Sequence, residues 1–316
     1  MARGMMRGQA ILAVMILAAA TTACGQFGNL KARKHLKDAN ALYAQADYRQ
    51  AAVEYEEAIK SDPDMIQAYF YLGNSYDNMY KPARKGEAEN DALLPKAVKN
   101  YEIAVQRETD PQRKKLALQY LAASYGTDKL NDPSKAEPVV RQMIQMDPKD
   151  TGSYYGLSKL YEDAGRFDEA EHALLQARDA APSNPEVYLQ LAGFYNKRDQ
   201  FEKAVAMHEE RAKLDPNNPE AFWTLAAFYE NAARKDYRLT LAVKKQYIER
   251  GIIAADKALA IKQDFVEAIT YKNLLLRQQA LVEKDPKKQK ELIDEADKLR
   301  NKAIELNKLK TKGVGA

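Results

Sequence analysis

The sequence predicts an all-α fold, an α-solenoid of about seven stacked helical hairpins. The first observation behind this is a period. The phrase GRFDEAEHALLQARDAAPSNP at residues 165–185 is answered 34 residues later by DQFEKAVAMHEERAKLDPNNP at 199–219. Phe167 recurs as Phe201, Ala170 as Ala204 and Pro182 as Pro216, while the variable places hold mostly Glu, Lys, Arg and Gln. The second is spacing: Tyr154, Leu157 and Tyr161 fall three and four residues apart, as do Phe167, Ala170, Leu174 and Ala177, so each set lies on one helix face. The third is composition. With 46% apolar and 30% charged residues but only 14 Gly in 316, the chain can build a helical core under a solvated surface.

Within residues 151 to 184, Gly165 interrupts the periodic pattern midway and Pro182 ends it, which predicts two antiparallel helices of about 13 residues joined by a short turn. Ser158, Ala170 and Ala177 are small where the two helices must approach, and a larger side chain there overpacks. This helix pair resembles the tetratricopeptide repeat. The resemblance implies a right-handed solenoid of such pairs, some with extended helices, whose first helices line a concave surface used to bind other proteins.

The elements follow in order. MARGMMRGQAILAVMILAAATTAC has a basic start, an apolar run and small residues before Cys24, the pattern of a secretory signal over residues 1–23. Its apolar run is too short to span a bilayer comfortably. Thr22, Ala23, Cys24 and Gly25 resemble the lipobox of bacterial lipoproteins, although Thr21 stands where that family usually has Leu. The resemblance implies lipidation of Cys24, with residues 24–31 as lipid anchor and short linker. Gly25 in place of the Asp that retains lipoproteins at the inner membrane implies the outer membrane, with the chain facing the periplasm. As the only cysteine, Cys24 leaves no disulfide within one chain.

The array is expected over 32–309. Its first unit, 32–65, carries Ala39, Leu42, Tyr48, Ala51, Tyr55, Ala58 and Pro63. The second, 66–111, opens on Tyr69, Leu72, Gly73 and Tyr76, but its second helix with Ala97, Tyr101 and Ala104 arrives late, after a polar insert holding Pro82, Gly86 and Pro95 that reads as a loop. A third unit, 115–150, has a slightly longer turn, with Asn131 and Asp132 as turn residues. The units 151–184 and 185–218 keep the period, although in the latter His208 and Arg211 replace an aromatic residue and an alanine, which predicts looser packing. The sixth and seventh, 219–265 and 266–309, again insert residues at the turn. These inserts are rich in helix formers, so both helices of each hairpin should lengthen by about six residues, or about 9 Å. The last helix carries Leu292, Ala296, Leu299, Ala303 and Leu306 along one stripe and should cap the array, leaving 310–316 as a tail.

Charge excludes one class of function. The net charge of +4 includes Arg3 and Arg7; without them 47 basic residues face 45 acidic ones, too even a balance for nucleic acid. Enzymatic readings find no support either: His35, His172 and His208 lie in different units without metal-ligand spacing, and no phosphate loop, nucleophile motif or carboxylate pair occurs. No catalytic residue, metal or cofactor is therefore expected.

The candidate partner-binding residues are polar and aromatic positions of the first helices that the repeat pattern leaves facing the concave side: Asn40, Asn74, Asn78, Tyr155, Lys159, Asn196, Lys197, Trp223 and Asn231. Asn and aromatic side chains there suit an extended peptide. Chaperone-binding members of the family grip a terminal carboxylate with Lys, Asn and Arg residues, but Leu36, Gln119 and Ala123 stand at the places of the charged ones, so no such clamp is expected. The function implied is a membrane-anchored periplasmic scaffold whose partners are other envelope proteins or peptides, as in the pilotins and barrel-assembly lipoproteins it resembles. The alternatives are a self-assembling homo-oligomeric envelope structure and a regulator of cell-wall enzymes.

Overall fold

The structure, a computed structural model, describes residues 29–235, 239–311 and 313. The signal segment, Cys24 and all but the last three linker residues lie outside these, as do part of the sixth insert and most of the tail. Contacts divide the chain into two compact units, Met1–Ala170 and Glu171–Ala316. The first holds α1 (residues 29–44), α2 (Tyr48–Ser61), α3 (Ile66–Met79), the short α4 (Ala88–Asp91), α5 (Leu93–Arg107), α6 (Pro111–Ser124), α7 (Pro133–Met146) and α8 (Thr151–Asp163). The division falls inside α9 (Phe167–Ala180). The second unit continues with α10 (Pro185–Lys197), α11 (Phe201–Leu214), α12 (Pro219–Lys235), α13 (Leu241–Ile261), α14 (Val266–Val282) and α15 (Pro286–Thr311). No strand occurs among the described residues.

Helices start where the sequence caps them. Asp110, Asp132, Asp150, Asn184 and Thr240 each accept a hydrogen bond from a first-turn N–H of α6, α7, α8, α10 and α13. Proline occupies the first turn of α6, α7 and α10, where its missing N–H costs nothing. The hairpin turns share one device. Ala46, Asn131, Gly165 and Asp199, each two residues before a second helix begins, all take a left-handed backbone with φ of 60°, 52°, 72° and 55°. The next residue then closes the turn: Asp47 N donates to Leu42 O at 3.0 Å, Arg166 N to Tyr161 O at 2.8 Å and Gln200 N to Tyr195 O at 2.9 Å. Gly165 was legible as this turn; Ala46 adopts it against its side chain's preference, whereas Asn131 and Asp199 are of the types that tolerate it.

Within the first unit α2 packs on α3, α3 on α5, α5 on α6, α6 on α7 and α7 on α8, and α3 also touches α6, so first helices are neighbours as well as partners of second helices. The same holds from α10 to α15, where α12 touches α14. The small residues permit this: a Cβ on Gly73 would lie 2.9 Å from Tyr101 Cδ1 and 3.1 Å from the Ala97 carbonyl. Around them Ala39, Ala51, Tyr55, Leu72, Ala97, Tyr101 and Leu121 form one buried cluster in the first unit, and Leu225, Tyr229, Ile248, Ala255 and Leu275 anchor another in the second.

A polar ladder stitches successive repeats. The first-helix tyrosine of one repeat donates its hydroxyl to a glutamate on the preceding second helix: Tyr125 to Glu102 at 3.2 Å, Tyr161 to Glu137 at 2.7 Å, Tyr195 to Glu171 at 2.8 Å, Tyr229 to Glu209 at 3.2 Å, and Tyr76 to Glu56 likewise. Cations cover four of these rings, with Lys96, Lys135, Arg166 and Lys203 at 5.3, 5.8, 4.4 and 4.9 Å from the centroids. The hydrogen bond from Tyr161, helped by Arg141 and Arg166, holds the Glu137 carboxyl below its ordinary range against the upward push of burial.

Two expectations change, and a third gains a physical cause. The insert of the second unit is an ordered, anchored segment rather than a plain loop: a 3-10 turn at Pro82–Arg84 and α4 are held by buried Asn90, which accepts from Lys81 N at 2.9 Å and donates to Lys81 O at 3.1 Å. The late hairpins lengthen unequally, because α12 and α14 have 17 residues but α13 has 21 and α15 has 26. The expected misfit of α11 lies at His208, which is buried with no hydrogen-bond partner at Nδ1. Its imidazole is 3% exposed and lies 4.4 Å from the Phe228 ring, while Ala212, one place beyond Arg211, fills the close approach.

Candidate partner-binding surfaces

The first-helix face of the first unit is floored by rings. Tyr43 of α1 lies 5.4 Å from Tyr71 of α3, Phe70 lies 5.2 Å from Tyr71, and Phe70 lies 5.4 Å from Tyr120 of α6, all edge to face. The four rings are half-buried, so part of each stays available. Burial first, and then the neighbouring Tyr120, Tyr48 and Tyr71, raise the Tyr43 hydroxyl above the ordinary tyrosine range, which keeps it a neutral donor. It donates to Asn74 Oδ1 at 2.5 Å, and Asn78 Nδ2 donates to the same oxygen at 2.7 Å and to the Asn74 carbonyl at 2.8 Å.

This arrangement sorts the sequence candidates. Asn74 is 2% exposed and acts as the buried pivot of that network, so it is withdrawn from direct contact with a partner. Asn78 is exposed beside it, and exposed Asn40 is held by Tyr55, whose hydroxyl donates to Asn40 Oδ1 at 2.7 Å. Trp223 is half-buried: its ring stacks on Tyr271 at 5.8 Å and meets the Phe265 edge at 6.3 Å, joining α12 to α14 and leaving part of its surface available. Tyr155 is half-buried and Lys159 exposed on α8, where Lys159 pairs with Asp163 one turn on. Asn196 and Lys197 are exposed at the end of α10. Asn231 is half-buried and accepts from Arg234 Nη2 at 2.9 Å. Asn196 and Asn231 are brought to one depression of about 790 Å³ in the second unit, above Phe201, Phe228 and Tyr247. Cys24 lies outside the described residues.

A second depression was not read from the sequence. Between α6 and α8, over α7, a groove of about 410 Å³ has Ala136, Val140 and Met143 at its base and Gln119, Asp150, Lys159 and Asp163 among its polar lining. Gly152, Gly156, Ala122 and Ala123 keep its walls low. Of the nominated residues only Lys159 lines it; the run of small residues on two first helices was the signal available for the rest. Its combination of an apolar base with sparse polar groups suits a side-chain-bearing segment of polypeptide.

Elsewhere the charges are tied locally. Glu108 is held down to about 2 by the fork of Arg113 and by backbone N–H groups, a helix-start contact rather than a reactive carboxylate. Among the described residues, no group of three His, Cys, Asp or Glu side chains is placed to hold a metal, and no helix is long and apolar enough to cross a membrane.

Comparison with known proteins agrees with this architecture. Two tetratricopeptide-repeat family profiles match, one over residues 129–192 and 164–228, the other over 36–77. No curated protein sequence matches the chain. Among solved structures it is similar to the C-terminal part of a TPR repeat-containing protein from Cytophaga hutchinsonii, 16% identical with a TM-score of 0.53, covering 86% of this chain and 98% of that one. It is also similar to a tetratricopeptide repeat protein from Parabacteroides merdae, 14% identical with a TM-score of 0.45 and covering 84% and 99% of the two chains. MamA is 21% identical with a TM-score of 0.42, covering 58% and 93%. Period, hairpin geometry and family profiles converge, and the chain is a tetratricopeptide-repeat protein.

Proposed function

We propose that this protein is a lipid-anchored adaptor of the bacterial cell envelope, facing the periplasm from the outer membrane. It holds a partner polypeptide on its first-helix face during assembly of an envelope complex, in the manner of a pilotin or a barrel-assembly accessory protein. The observation that carries the binding part of this reading is the groove between α6 and α8, whose apolar base and Lys159–Asp163 rim lie beside the ring-floored face of α1, α3 and α6. An extended segment can bury apolar side chains there while its backbone reaches Gln119 and Lys159. Support for the anchor is the signal pattern ending in TTAC, with the chain's single cysteine at the cleavage point.

The test is made in cells. A photo-crosslinking residue at Lys159 is expected to capture a defined envelope protein, and Cys24→Ser is expected to move the chain from the membrane to the soluble fraction. Crosslinks to this chain alone favour the self-assembling structure, and unchanged membrane association of the Cys24 variant removes the anchor.

A further inference from the structure

The two units carry the same groove on the side away from the first-helix face, a correspondence invisible in either site alone. In the first unit it runs over α3 between the second helices α2 and α5, with a volume of about 360 Å³. In the second it runs over α12 between the second helices α11 and α13, with a volume of about 480 Å³. The floors match in spacing: Tyr69, Leu72 and Tyr76 in one, Phe222, Leu225 and Tyr229 in the other. Residues three and four apart present one helix face, so each floor is two helical turns long.

The rims match as well. Glu56 and Lys60 stand seven and three residues before Pro63, as Glu209 and Lys213 stand before Pro216. On the opposite wall Lys96 immediately precedes Ala97, and Arg250 immediately precedes Gly251, the small residues where the second helix meets the first. Each groove has one further lysine on that wall, Lys99 and Lys257 respectively. Both glutamates already accept the floor tyrosine's hydroxyl. With Glu57 and Glu210 counted beside Glu56 and Glu209, three cations face two carboxylates at each groove, a surplus of one that sits on the α5 and α13 walls. The Lys60 and Lys213 side chains stay 75% and 68% exposed, so their pairs with Glu57 and Glu210 are solvent-screened and both lysines can exchange partners.

Both grooves occur in repeats whose second helix arrives late, after the α4 segment in one and in the lengthened α12–α13 hairpin in the other. Ile253 stands 50% exposed at the second groove, an apolar side chain left uncovered on its wall.

We propose that these two grooves are equivalent docking sites for an acidic amphipathic helix, which lays its apolar face along the aromatic floor and its carboxylates against the cations of the α5 and α13 walls. Charge complementarity selects the occupant: an apolar floor two turns long matches a helix face, and the surplus of cations on the α5 and α13 walls matches carboxylates along that side of it. The surface is distinct from the α6–α8 groove, so this proposal and the first-helix reading fail independently.

The test is calorimetric titration of the full chain with a synthetic helical peptide of about four turns, with leucine at every third and fourth position and glutamate elsewhere. Two equivalents are expected to bind, with affinity falling at least about tenfold between 50 and 200 mM salt. K60E with K99E should leave one equivalent, K213E with K257E should leave the other, and all four together should abolish binding. These lysines are exposed, and an unchanged thermal melt confirms that the variants fold. Failure of the peptide to bind, full binding by the fourfold variant, or equal binding of a lysine-for-glutamate peptide overturns the proposal. So does charge-reversal-sensitive binding of anionic lipid vesicles with none of the peptide.

Discussion

At the residue scale, the structure turns on side chains whose surroundings leave no room or no partner. Gly73 is the first. With Tyr101 Cδ1 2.9 Å and the Ala97 carbonyl 3.1 Å from where a Cβ would stand, Gly73→Val must force α3 and α5 apart. The expected loss is about 1 to 3 kcal/mol, a fall of several degrees in Tm by calorimetry. His208 is the second. Burial, and then the nearby Arg211, push its imidazole down to about 4, and its Nδ1 has no hydrogen-bond partner. The folded chain therefore resists a proton that the unfolded chain accepts below about pH 6.5. The stability due to neutral His208 is present above that pH and falls away as pH drops toward 4. His208→Leu should flatten this slope, gaining roughly 2 kcal/mol relative to the parent between pH 7.5 and pH 4.5 in denaturant titrations. Parallel pH profiles for the two proteins would show that the ring meets water in the folded state.

At the element scale, the hairpin turn is the recurring unit of construction, and its left-handed residue is its weak point. Gly165 occupies that conformation freely, whereas Ala46 holds φ at 60° with a Cβ in place. Ala46→Gly should stabilise the α1–α2 hairpin by about 1 kcal/mol, and Gly165→Ala should cost about as much; equilibrium unfolding of the two variants checks both signs. The helices themselves were legible because apolar spacing repeats with the turn of a helix, and the proline and aspartate stops sit where the caps are. The left-handed turn at Ala46 was not, since alanine does not announce the conformation and the tertiary fit of the hairpin imposes it. The α4 insert was misread for a related reason: its proline and glycine content is that of a loop, while its order comes from buried Asn90 gripping the Lys81 backbone. Site residues were less legible than helices. Sequence position puts Asn74 and Trp223 on a first helix, but only the packed neighbours show that Tyr43 covers one and Tyr271 stacks on the other. The outer grooves depend on how far apart two second helices stand, which no single helix encodes.

At the scale of the whole molecule, a repeat protein is stable to the extent that each repeat finds a neighbour, so its ends need separate treatment. The last helix supplies that at the end of the second unit. Of its 26 residues only Ala296 and Ala303 are buried, yet Ala303 with Leu299 and Leu306 covers Val266, Ile269 and Leu259. The other faces are almost wholly polar, and ion pairs from Lys272 to Glu295 at 3.1 Å and from Arg277 to Asp297 at 2.5 Å fix the register against α14. Truncation after Val282 therefore strips the cover from a helix whose Ile269 is 1% exposed while leaving every residue of the α6–α8 groove in place. The expected result is a lower Tm for the second unit by an amount equivalent to several kcal/mol, with binding of a hydrophobic dye. Crosslinking from Lys159 should persist, because that groove is made by residues of the first unit alone. A truncated chain that melts like the parent would make α15 an appendage held for another purpose, and its lysine-rich outer face would then be the surface to test.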